Sequence, residues 1–344
     1  MAELTRDVRH PVPASTRLAS LSVDLDDHWT YLKSRGRAGW ESLPTFLELA
    51  VPRVLEFLGR HAVCATFFVV GCDAACPHHR PLLRRIVDAG CEIGNHSYHH
   101  DLRFDLFDAV RVEDEIRRTE DAIVAVGACQ PLGFRAPGHA TSPLVLEVLS
   151  RRGYVYDASP WPTFVLPLVR RLYLKGARLT PAERAERRRR ARGSWWVRAS
   201  NRAYALGSRG LVVVPVTTVP FFRTPFHVTY LNALNAHSEL LARRYFQFAL
   251  ALCRWTDTAP SILLHLTDFL GSDDPVDLSL LPGMALPYPR KLALLDHVLR
   301  ALKQHFRVVT LLDHARSRAA AIDPRASAEG SGAGATGRAN GQPT

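Results

Sequence analysis

The stretch Leu21-Ser22-Val23-Asp24-Leu25-Asp26-Asp27-His28-Trp29 decides the fold class. Residues 18–25 read as a largely apolar strand, and it runs straight into carboxylates. A doubly wound nucleotide-binding sheet needs a glycine-rich phosphate turn at this point, and the quoted stretch has no glycine. Further short apolar runs follow at 63–70, 91–94, 133–136, 154–156, 211–216, 262–266 and 307–310. Amphipathic stretches at 46–60, 81–89, 107–126, 142–151, 236–255 and 289–305 separate most of them. This alternation predicts α/β architecture, with parallel strands joined by helical crossovers closing into a complete or nearly complete barrel. Glu115 and Glu120 are expected on a solvated face of the third helix.

Composition narrows the class. The 344 residues are 47% hydrophobic and 22% charged, enough for a large core and too apolar for a disordered chain. No apolar run reaches the roughly 18 residues of a membrane span, and the first 20 residues lack the apolar core of a secretory signal. The six cysteines (Cys64, Cys72, Cys76, Cys91, Cys129, Cys253) read as reduced thiols of a cytosolic protein. A collagen, a coiled coil, a disulfide scaffold and an integral membrane protein are excluded. Residues 1–17 are expected as a flexible leader, 18–316 as a single barrel, and the Gly/Ala/Ser-rich 317–344 as a disordered tail.

The informative residues stand where strands end. Asp24, Asp26 and Asp27 follow the first, and Asn95-His96-Ser97-Tyr98-His99-His100 follows the third. Arg135-Ala136-Pro137-Gly138-His139 follows the fourth, Asp157-Ala158-Ser159-Pro160-Trp161 the fifth, and His265 with Asp268 the seventh. In an α/β barrel these ends converge on one face, where catalytic groups collect. Charges gathered there are costly unless paired or bound to metal. His96 and His100 are four apart, so on a helical turn both imidazoles reach one ion. One of the spaced carboxylates Asp24 and Asp26 can join them, leaving the other free as a base.

These motifs resemble the NodB-homology polysaccharide deacetylases of carbohydrate esterase family 4, over about 18–312. Asn95–His100 is similar to the family's H-S/T-x-x-H motif, Arg135-Ala136-Pro137 to R-x-P, and Asp157–Trp161 to D-x-S-x-W. Leu264-His265 resembles the L-H block, and Thr66–Gly71 the family's A-T-F-F strand. The resemblance implies a distorted (β/α) barrel of about seven parallel strands. It implies a divalent metal, Zn2+ by default, held by Asp26, His96 and His100, with Asp27 as the alternative carboxylate. Asp24 would be the general base and His265 the general acid, with Arg135 paired to Asp24 and Asp157 orienting His265. Gly138, His139 and Trp161 would contact substrate or the oxyanion. Most members carry adjacent aspartates where this chain has Asp24-Leu25-Asp26; the spaced form is similar to a subgroup acting on other amides and imides.

The net charge of +11 is local, because residues 151–209 carry 15 Arg and Lys against Asp157, Glu183 and Glu186. Within them 161–205 reads as a basic, helical insert after the fifth strand, with Thr180 capping a helix that begins at Pro181. Its mixture of Trp, Tyr and Arg is that of a membrane-interface segment or a lid. The resulting expectation is a cytoplasmic hydrolase, peripheral at the inner membrane face. It would remove an N-acetyl or N-formyl group from an amino sugar or a lipid-linked glycan precursor. No nucleic-acid partner is expected. A small-molecule amidase or cyclic imidase, and a non-catalytic lipid- or nucleic-acid-binding barrel, are the alternatives.

Overall fold

The computed structural model describes residues 17–165, 180–182, 185, 200–206, 210–276, 281 and 283–322. Its strands are β1 (Leu18–Asp24), β2 (Thr66–Val69), β3 (Glu92–Asn95), β4 (Gly133–Phe134), β5 (Tyr156–Asp157), β6 (Tyr204–Leu206), β7 (Leu211–Val213), β8 (Ser261–His265) and β9 (Arg307–Val309). They form one curled sheet in the order β6-β7-β5-β4-β3-β2-β1-β8, with β9 beside the start of β1. Every pairing is parallel except β6 with β7. Between β7 and β8 a bond from Thr217 N–H to the Ser261 carbonyl (3.1 Å) stands in place of a ladder. Pro215, just past β7, has no N–H to donate to one. The barrel is therefore distorted and nearly closed.

Strand alternation sorts the side chains. On β1, Ala19, Leu21 and Val23 join the main apolar core, while Ser20, Ser22 and Asp24 belong to the opposite face. That core packs against α2 (Leu47–Arg60), α4 (Arg80–Asp88), α8 (Glu239–Trp255) and α9 (Tyr288–His305). The remaining helices are α1 (His28–Ser34), α3 (Gly71–Ala75), α5 (Ala109–Ala125), α6 (Pro143–Arg151), α7 (Val228–His237) and α10 (Leu311–Ile322).

Several expectations are corrected. The helix expected at 236–255 starts at Glu239 as α8, where the Ser238 hydroxyl caps it by accepting from Leu241 N–H, and α7 before it has no counterpart among the expected helices. The tail boundary at 317 falls inside α10, which packs on β1, β6 and β7. Glu115 and Glu120 are buried. Most of the insert at 161–205, the leader and the end of the tail lie outside the described residues. Pro181, Ala182 and Ala185 are helical, whereas Tyr204–Leu206 is the edge strand β6, so the end of the insert belongs to the sheet. None of the six cysteines is in a disulfide.

α10 carries a pH prediction. His314 bonds the Ser20 hydroxyl at 2.9 Å, and burial pushes its pKa from 6.5 to about 4. The unfolded chain therefore binds this proton first as pH falls. The stability of neutral His314 is complete above pH 6.5 and is lost down to about pH 4, some ~3 kcal/mol in all. Chemical denaturation at pH 7 and pH 4.5 should show a smaller acid loss in His314→Asn than in the wild type; equal losses would remove His314 as the cause.

Candidate active site

The register of β1 and β8 places Asp24 directly beside His265. Two residues past the end of β1, Asp26 turns its carboxylate to the imidazoles that follow β3. Asp26 Oδ1 lies 2.9 Å from His100 Nε2 and 3.2 Å from His96 Nε2. One donor atom from each of these three residues falls within 4.8 Å of the others. Asp26 Oδ1 and both ring nitrogens of His100 are buried without a hydrogen-bond partner. Unpaired buried polar atoms of this kind are costly, and a shared divalent cation satisfies all three residues at once. The donor set therefore fits a metal. Burial pushes Asp26 up, but His100 and His96 outweigh it and hold the carboxyl well below its usual range. Asp27 is occupied elsewhere: Oδ1 accepts from His28 and Phe46 N–H, both at 2.8 Å, capping α1.

The histidine loop is not the expected helical turn. Ser97 and His100 take left-handed backbone angles, φ 61° and 48°. His96 Nδ1–H donates to the Arg135 carbonyl at 2.6 Å, which leaves Nε2 facing Asp26. Asn95 Oδ1 accepts from Ser97 N–H at 2.9 Å. Behind the loop, Glu115 of α5 accepts from Tyr98 and His99 N–H (2.9 Å each) and sits 2.6 Å from His99 Nδ1. Gly71 lets α3 approach: a Cβ there would stand 2.5 Å from the Tyr98 ring and 2.9 Å from Tyr98 Cα. Glu115 was expected on a solvated face, yet it is the carboxylate that clamps this loop. Glu115→Ala should weaken zinc binding about 10- to 100-fold in a chelator competition, with Glu115→Gln intermediate because it keeps one acceptor oxygen.

Asp24 is held from the other side. Arg135 Nη1 donates to Asp24 Oδ1 at 2.6 Å and to the Ser22 hydroxyl at 2.9 Å, and Nε donates to the Ala158 carbonyl at 3.1 Å. The guanidinium lies over Phe68, 4.3 Å from its centroid, and is fully buried. Asp24 Oδ2 lies 3.9 Å from His96 Nε2.

The orienting role expected of Asp157 is corrected. Its Oδ1 accepts from the Ser159 N–H and hydroxyl, and burial pushes its pKa up to about 7. Asp157 makes no bond to His265. Instead His265 Nδ1 meets the Thr229 hydroxyl at 3.0 Å, and that hydroxyl donates to Asp268 Oδ2 at 3.3 Å. Asp268 also accepts from His265 N–H and Asn232 Nδ2. β7 stands between β5 and β8, whereas Thr229 lies on α7, which packs on β8.

Trp161 packs edge-on or tilted against His139, His227 and Tyr230, with centroids 5.0–5.6 Å apart. His227 lies 6.2 Å from His265; burial first, then the neighbouring His265, holds it well below the usual histidine range and therefore neutral. Gly138, at φ 54°, forms the turn between Pro137 and His139. Sequence reading did not single out His227 and Thr229, because neither lies in a motif.

Residues 39–156 match the family model of the polysaccharide deacetylases. That stretch is about a third of the chain, and over it the chain is similar to the polysaccharide deacetylases. The chain is 35% identical over 105 residues to the peptidoglycan-N-acetylmuramic acid deacetylase PdaA of Bacillus subtilis, covering 30% of this chain and 38% of that protein. It is 28% identical over 149 residues to the peptidoglycan deacetylase of Helicobacter pylori, covering 41% of this chain and 49% of that protein. The matches thus span less than half the length of these relatives. A crystal structure from Mycobacterium smegmatis assigned to the polysaccharide deacetylases has the same fold, with TM-score 0.58 and 20% identity over 99% of this chain and 100% of the other. The family-matched stretch holds His96, His100 and Arg135, while Asp24, Asp26 and His265 lie outside it and are brought in by β1 and β8.

Proposed function

We propose that this protein is a metal-dependent hydrolase that removes an N-acetyl or N-formyl group from an amino sugar. The observation that carries the reading is the convergence of Asp26, His96 and His100, with the unpartnered buried donor atoms of Asp26 and His100, beside Asp24 and His265. A divalent ion held by these three residues would supply Lewis acidity to water and to the amide carbonyl. Asp24 takes the proton of the attacking water through Oδ2, while Oδ1 stays fixed on Arg135. His265, oriented through Nδ1 by Thr229 and Asp268, presents Nε2 to the leaving nitrogen and gives it a proton. Trp161 and the neutral His227 wall the site beside His265.

Two imidazoles and one carboxylate suit Zn2+, and cobalt, nickel or iron use the same donors. The names of the two curated relatives support an N-acylated sugar of the peptidoglycan type; a lipid-linked precursor of such a glycan presents the same amide. The spacing of Asp24 and Asp26 favours a second reading, ring opening of a cyclic imide. Protein stripped with chelator and reloaded with zinc would be assayed for acetate release from N-acetylated amino-sugar oligomers and for imide opening. Zinc-dependent acetate release is expected. Imide opening alone would favour the second reading, and no turnover of either would overturn the hydrolase.

A further inference from the structure

We infer that a basic, aromatic surface beside the site mouth docks on an anionic lipid bilayer. The backbone at 219–224 forms a narrow turn, closed by Val219 N–H to the Thr224 carbonyl at 2.9 Å and Arg223 N–H to the Val219 carbonyl at 2.8 Å. Phe221 and Arg223 take left-handed angles, φ 67° and 51°, which non-glycine residues rarely adopt. The tip carries Phe221 (68% exposed) and Phe222 (57%) into solvent. On α8 the outward positions Leu241, Phe248 and Trp255 repeat every seven residues and are 52%, 48% and 77% exposed. The two elements are one surface, because Phe221 touches Trp255 (5.6 Å) and Phe222 touches Phe248 (6.0 Å).

Several observations favour lipid. Arg202, Arg244 and Arg254 are exposed around the apolar residues. Among the described residues the acidic neighbours are few: Glu239 is paired with Arg243, and Asp257 lies 3.7 Å from Arg17. Phe221 and Phe222 on a projecting turn, with Trp255 of α8 beside them and arginines around, suit insertion among anionic headgroups. Pairing two copies through this patch would oppose arginines to arginines. The surface also joins the site mouth, since Thr163, two residues past Trp161, donates its hydroxyl to the Arg223 carbonyl at 2.8 Å. Among the described residues no helix is long and apolar enough to cross a membrane.

The test is vesicle sedimentation of the full chain, with phosphatidylcholine alone and with phosphatidylcholine mixed with phosphatidylglycerol. Binding only to the anionic vesicles is expected, weakening with salt. It should fall about tenfold in Phe221→Ser/Phe222→Ser/Trp255→Ser and also weaken in Arg244→Gln/Arg254→Gln, with thermal melting unchanged. No sedimentation of the wild type at low salt would overturn the proposal, as would wild-type binding by both variants. Concentration-dependent dimerisation lost in the triple variant would assign the surface to a second copy instead. None of these readouts depends on turnover.

Discussion

Asp24→Asn lowers kcat for amide hydrolysis about 10³-fold and leaves the metal content unchanged. The amide occupies the same volume and still accepts from Arg135, but it cannot take a proton from water. Asp26, His96 and His100 keep their donor atoms, so metal binding survives. The substitution also leaves Arg135 as a buried cation without its carboxylate, so the variant is less stable, and kcat must be read well below its melting temperature. Loss of turnover with metal retained separates the base from the ligands. Activity within a few-fold of wild type would remove Asp24 as the base.

Arg135→Met costs about 3–5 kcal/mol of stability, the largest expected for any single side chain of the site. Arg135 is fully buried and donates to Asp24, the Ser22 hydroxyl and the Ala158 carbonyl, tying β1 to the segments that follow β4 and β5. Methionine fills much of the space but strands the Asp24 carboxylate in the barrel. The double variant Asp24→Asn/Arg135→Met removes both charges and should be more stable than the sum of the single effects allows. Denaturant unfolding of the four proteins measures this coupling; strict additivity would mean that the ion pair contributes nothing.

Much of this was legible because barrel strands deliver their last residues to one mouth. The carboxylates after β1, the histidines after β3 and His265 of β8 could be grouped from strand order alone. What escaped depends on contacts between segments far apart in the chain. Glu115 sits among charged helix residues, and its partners, the Tyr98 and His99 N–H groups, belong to a loop whose left-handed residues leave no signature. Asp157 stood in a motif and was given the task that Thr229 and Asp268 perform. That assignment turns on which strand neighbours β8, and β5 does not. α7 carries no amphipathic signal, because its buried face mixes Val228 and Leu231 with Asn232 and Asn235 and leaves no apolar stripe.

Elemental analysis of the purified protein beside a His96→Ala/His100→Ala variant tests the central claim most directly. The account predicts about one divalent metal per chain in the wild type, lost in the variant while its fold persists. No metal in the wild type even after incubation with zinc, or the same metal content in both proteins, would contradict it.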